Sequence, residues 1–110
     1  MEKFVKGSVI VIPFPFSDLS EVKRRPALVL ADLAGDDILL CQITSRYSDE
    51  KHVVSLKTTD FKTGSLPINS YIRHTRIFTA DKNIMLKTVG IVSDEIINKT
   101  INNIINLLKQ

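Results

Sequence analysis

Five short β-branched or apolar runs, each cut off by proline, glycine or charge, precede a single helical stripe, and this order constrains the chain more than any other feature. Ser8 to Phe14 follows Gly7 and predicts a strand, ended by Pro13 and Pro15 because proline cannot donate to a ladder. Phe16 to Arg25 is polar and charged and reads as a loop. Pro26 then opens a strand over Ala27 to Ala31, whose unbroken apolar character predicts burial on both faces. Asp37 to Thr44, His52 to Leu56 and Ser70 to Thr79 are further strands, and Lys57 to Leu66, with Gly64 and no clear period, reads as a loop. Lys82 to Met85 suits a short helical turn, and Gly90 to Val92 a last short strand. Ser93 is a good N-cap, with Asp94 and Glu95 in the first turn where the helix dipole favours acids. From there to Leu108, the residues Ile97, Ile101, Ile104, Ile105 and Leu108 repeat at helical spacing and predict one apolar stripe packed on the sheet. The expected fold is mainly β with a C-terminal helix: a small, SH3-like, antiparallel, partly closed barrel.

Length fits one domain, residues 1–110, with hydrophobic content of 44% and charged content of 25%, both ordinary for a folded protein. The net charge of +3 is only mildly basic, but its distribution is uneven. Lys23, Arg24 and Arg25 are adjacent, and Arg73, His74 and Arg76 form a second cluster. Brought together, they would make a positive site suited to phosphates. Cys41 is the only cysteine and sits in an apolar run, so it reads as a buried core thiol and no internal disulfide can form. No basic-then-apolar leader and no run of membrane-spanning length are visible, so the cytoplasm is the expected location and no membrane partner is expected.

The common enzyme signatures are missing. The four glycines are scattered rather than gathered into a phosphate loop, no His-rich spacing suggests zinc, and no Gly-x-Ser-x-Gly elbow is present. What remains is Arg, Thr, Ser and His at strand ends. Such a set can work on an RNA phosphodiester without metal, because the 2′-hydroxyl supplies the nucleophile and the planar guanidinium fork matches the phosphate oxygens.

Several stretches now resemble one family in the right order. Gly7 to Asp18 looks like the opening strand and loop of MazF/PemK toxins, and Arg24-Arg25-Pro26-Ala27-Leu28-Val29-Leu30 is similar to their arginine–proline second strand. Gln42-Ile43-Thr44-Ser45 resembles the Ile-Thr-Ser end of their third strand. Gly64 through Ser70-Tyr71-Ile72-Arg73, with Thr79-Ala80-Asp81-Lys82 behind it, resembles their later strand and turn. Together these stretches cover most of the chain.

The resemblance implies a MazF/CcdB-like barrel and a metal-independent endoribonuclease that cuts single-stranded RNA with sequence selectivity, works as a homodimer, needs no cofactor and is blocked by a cognate antitoxin. It implies catalytic roles for Arg25, just before the second-strand proline, for Thr44 of the Ile-Thr-Ser motif, and for Arg73 in the later strand. Lys23, Arg24, Ser45, Thr75 and Arg76 are expected to contact RNA, and Phe16 to stack on a base as single-strand binders do. The chain departs from the pattern at two positions. Thr75 stands where some members have an aspartate that acts as base, and a threonine does not readily take a proton. Phe78 stands where many have an arginine, and Arg76 is the residue expected to serve instead. By the period of two, Tyr71, Arg73 and Thr75 share one strand face and His74 lies on the other, as a surface or dimer-edge residue. His52 reads as a strand-start residue without a partner. A second reading keeps the barrel as a catalytically weak or inactive module that binds RNA or antitoxin. A third, a gyrase poison, follows from a related toxin family that shares the barrel but fits the Arg25 and Thr44 motifs less well.

Overall fold

Residues that alternate between two apolar clusters along one strand must belong to a sheet buried on both faces, and this is how the centre of the protein is built. The computed structural model describes residues 4–14, 23–46, 52–85 and 87–110. In β2 (Lys23–Leu33), Ala27 and Val29 join one cluster while Leu28 and Leu30 join the other. In β3 (Asp37–Thr44), Leu40 goes to the first and Cys41 and Ile43 to the second. The continuous apolar run of β2 is therefore buried on both faces, as its composition predicts.

The other strands are β1 (Ser8–Phe14), β4 (Val54–Leu56), β5 (Phe61–Gly64), β6 (Ser70–Asp81) and β7 (Lys87–Val92). They form one antiparallel sheet in the order β4-β6-β3-β2-β1-β7-β5, curled into a half-barrel. The helix α1 (Asp94–Lys109) begins at Ser93, whose hydroxyl accepts from the Ile96 amide at 3.3 Å. It lays Ile96 and Ile97 on the cluster that holds Leu28, Cys41 and Ile72, with Ile101 and Ile104 beside them. Thr100, fully buried, donates its hydroxyl proton back to the Ile96 carbonyl at 2.9 Å, so its polarity is satisfied. No helix is long and apolar enough to cross a membrane.

Four expectations are corrected. β2 starts at Lys23, not after Pro26. The proline is tolerated because the β2–β3 ladder begins only at Ala27, and before it the strand is paired with β1 alone. Phe61–Gly64 is a strand rather than a loop, paired on one side to β7. Gly64 there has φ +63°, and a β-carbon on it would run into the Val89 carbonyl oxygen. His52 lies ahead of β4 instead of opening it. The helical stripe is only partly covered: Ile101 and Ile104 pack on the core, but Ile105 and Leu108 are 42% and 76% exposed.

Candidate active site

β6 is twelve residues long, and its register with β3 places its functional side chains. Gln42 pairs with Arg73, Ile43 with Ile72 and Thr44 with Tyr71. Ile43 and Ile72 are fully buried, while Gln42, Thr44, Tyr71 and Arg73 are half-buried on the opposite face. Thr44 and Arg73 are thus diagonal neighbours on one face. Arg25 is paired with Ile12 of β1, and the β2–β3 register carried two residues past Ala27–Gln42 brings it opposite Thr44. The three residues expected to be catalytic therefore meet at one end of the sheet, on the adjacent strands β2, β3 and β6.

Their hydrogen bonding suits an anion. The Thr44 hydroxyl oxygen accepts from the Arg46 amide at 3.1 Å, which orients it and leaves its own proton to donate. Arg73 Nε is buried without a hydrogen-bond partner among the described residues. A buried donor left unmet is costly, and a phosphate oxygen would satisfy it.

Where β2 and β3 stop pairing, a pocket of about 210 Å³ opens. Arg24, Arg25 and Pro26 form one wall, Ile43, Ser45 and Ser70 another, and the loop Leu66-Pro67-Ile68 the third. Arg24, Arg25 and Ser45 line this pocket together, while Thr44 and Arg73 lie outside its lining. Leu66, Pro67 and Ile68 were not expected at the site, because a segment that folds back as a wall needs no period. Lys23 belongs to β2 as its first residue, and Phe16 lies outside the described residues.

Beyond Arg73 the strand is irregular. The next pair after Gln42–Arg73 is Cys41–Ile77, so His74, Thr75 and Arg76 form a bulge. Thr75 and Arg76 are exposed in it, and the period that would extend the Tyr71–Arg73 face to Thr75 is not held by β3. Phe78 is packed half-buried against the cluster of Ile10 and Leu40.

His74 is neither a surface nor an edge residue: only 2% of it is exposed, on the face of Ser70 and Ile72, and its Nδ1 has no partner among the described residues. Burial, followed by the positive charge His52 can carry, holds its pKa below the ordinary 6.5. The unfolded chain then takes up the proton first as pH falls. The contribution of neutral His74 to stability is fully present above about pH 6.5 and declines below it. The stability difference between wild type and His74→Gln is accordingly expected to shrink between pH 7.5 and 5.5 in urea titrations, and equal pH slopes for the two proteins would contradict it. Cys41 is fully buried, with its thiol pushed up to about 12 by that burial, so it is an inert core residue. Among the described residues no group of three or more His, Cys, Asp or Glu is placed to hold a metal ion.

A curled antiparallel half-barrel with one C-terminal helix is the fold of the MazF toxins, and solved structures of that class overlay on nearly the whole chain. A MazE–MazF complex from Deinococcus radiodurans matches with TM-score 0.76 and 18% identity over 96% of this chain and 95% of that one. MazF from the same organism matches with TM-score 0.75 and 18% identity over 99% and 100%. An endoribonuclease in complex with its cognate antitoxin from a mycobacterial species matches with TM-score 0.74 and 16% identity over 96% and 94%. A search of curated protein sequences finds no significant match. The family model for PemK-like, MazF-like toxins of type II toxin–antitoxin systems matches residues 5–108, and the chain belongs to that family.

Proposed function

We propose that this protein is a sequence-selective, metal-independent endoribonuclease toxin, an mRNA interferase, that cuts single-stranded RNA in the cytoplasm as a homodimer and is held inactive by a cognate antitoxin. The observation that carries this reading is the meeting of Arg25, Thr44 and Arg73 on three adjacent strands at one end of the sheet. Membership of the MazF-like family and the likeness to an endoribonuclease bound to its antitoxin support it.

In this mechanism the RNA 2′-hydroxyl oxygen attacks the neighbouring phosphorus and the bond to the 5′-oxygen breaks. The products carry a 2′,3′-cyclic phosphate and a 5′-hydroxyl. Arg25 and Arg73 neutralise charge growing on the phosphate oxygens and Thr44 donates a hydrogen bond to the same group, while the 2′-hydroxyl proton passes to water and the leaving 5′-oxygen takes a proton from water. A two-fold dimer lines two such sites along one groove.

The experiment is digestion of a long mixed-sequence single-stranded RNA in EDTA. Discrete products with cyclic-phosphate ends are expected. RNA binding without cutting would sink the enzyme reading and favour a binding module in its place.

Thr75, at the position of the family's aspartate, supplies no base at neutral pH. Restoring a carboxylate with Thr75→Asp is expected to raise the single-turnover cleavage rate by about tenfold or more, within the range general bases contribute. A rate unchanged or lowered would mean that the bulge holds position 75 away from the reacting hydroxyl.

A further inference from the structure

We propose that the pocket at the parting of β2 and β3 binds one base of the RNA beside the cut, and that the base is guanine. This rests on the nuclease reading and adds to it the residues that choose the sequence. The volume of about 210 Å³ lies below the roughly 300–1,000 Å³ of sites for drug-sized ligands, so it suits a single flat ring system rather than a stretch of peptide. Its walls are apolar where a ring face would lie: Ile43 and Leu66 are buried at its back, and Pro67 and Ile68 are exposed at its lip. Its rim carries donors. Arg24 presents an exposed guanidinium and Ser45 an exposed hydroxyl, and no carboxylate lines the pocket.

A rim rich in donors selects a base edge with two adjacent acceptors. Guanine has such an edge in O6 and N7, and the arginine fork meets both at once. In single-stranded RNA that edge is open to readout and the ring face is open to packing. The lip is also built in place. Ser70, only 4% exposed, donates its hydroxyl proton to the Ile68 carbonyl at 3.1 Å, which holds the loop against β6. Arg25 itself lines the pocket, so a base seated there lies beside the arginine assigned to the scissile phosphate.

The test has two arms. In the first, the four nucleoside 3′-monophosphates are titrated into isotopically labelled protein. The guanosine nucleotide is expected to shift the Leu66 and Ile68 methyl signals and the Ser45 amide, and to bind several-fold tighter than the other three. Arg24→Gln is expected to weaken it by about tenfold, the scale of one bidentate arginine–guanine contact. Ile68→Ser is expected to abolish the methyl shifts with an unchanged urea midpoint, since Ile68 is 56% exposed. Equal responses to all four nucleotides, or none at these signals, overturn the assignment. In the second arm the 5′ ends of cleaved RNA are sequenced. Guanine is expected at one fixed position next to the cut, and both variants are expected to flatten that preference. A preference for another base, or one that neither variant alters, also overturns the assignment. If wild type cuts no RNA yet the guanosine nucleotide still titrates the pocket, the nuclease reading fails and the base site stands.

Discussion

Replacing Arg25 with alanine is expected to slow RNA cleavage by about 10²–10³-fold, the scale of removing one preorganised donor from a site where transition-state charge develops. Arg25 stands at the end of β2 next to the proline where the β3 ladder gives out, paired to Ile12 of β1 on its other side. Ile12 is almost fully buried, so the backbone that carries Arg25 is anchored while its guanidinium reaches the open end of the sheet. A donor held in this way needs no reorganisation as charge forms on the phosphate. Arg25→Lys is expected to recover only part of the rate, because an ammonium is a point charge and cannot grip two oxygens in one plane. Single-turnover cleavage of a labelled RNA measures both variants. Thermal unfolding checks that the fold is intact, which is expected because the side chain is only half-buried. Loss of cleavage in Arg25→Ala with full recovery in Arg25→Lys would reduce the residue to a plain positive charge.

The second large effect is on stability. Leu40→Ala is expected to cost about 2–5 kcal/mol, the range for emptying a buried leucine site that relaxes only in part. Leu40 is fully buried in β3, which lies between β2 and β6, and it packs in the cluster of Ile10, Ala27 and Val29 with Phe78 at its margin. Domains of this size have roughly 5–15 kcal/mol in all, so a substantial share of the stability is at stake. Urea unfolding should show a lower midpoint with an unchanged slope. A loss below about 1 kcal/mol would show that the cluster closes over the gap, contrary to the close packing expected of such a core. Because β3 also carries Thr44, cleavage by this variant well below its melting point tests whether the site depends on packing in the middle of the strand.

Much of this was legible in the residues. The strand bounds Ser8–Phe14 and Asp37–Thr44, the two-sided burial of Ala27–Leu30, the capped helix after Ser93 and the buried Cys41 all follow from local composition. These features are set by steric preference, proline chemistry and apolar periodicity, which act within a few residues. Phe61–Gly64 was not legible as a strand, because a short edge strand with mostly exposed side chains has no apolar alternation to betray it. Lys23–Arg25 was not legible either, because charge at a strand end looks like a loop.

His74 shows the limit most clearly. A period of two correctly put it on the face opposite Arg73, but nothing local says whether that face meets water or core. That depends on what packs there from distant parts of the chain, and the sequence pattern is silent on it. The same holds for the site. Sequence by itself determined which residues have the right chemistry: arginines at 24, 25 and 73, hydroxyls at 44 and 45. Tertiary structure alone decided that Arg25, Thr44 and Arg73 share a face, because the register of β2 on β3 and of β3 on β6 joins residues separated by nearly half the chain. It also made the pocket, since a wall contributed by Leu66–Ile68 exists only once that loop is folded back on strands far away in sequence.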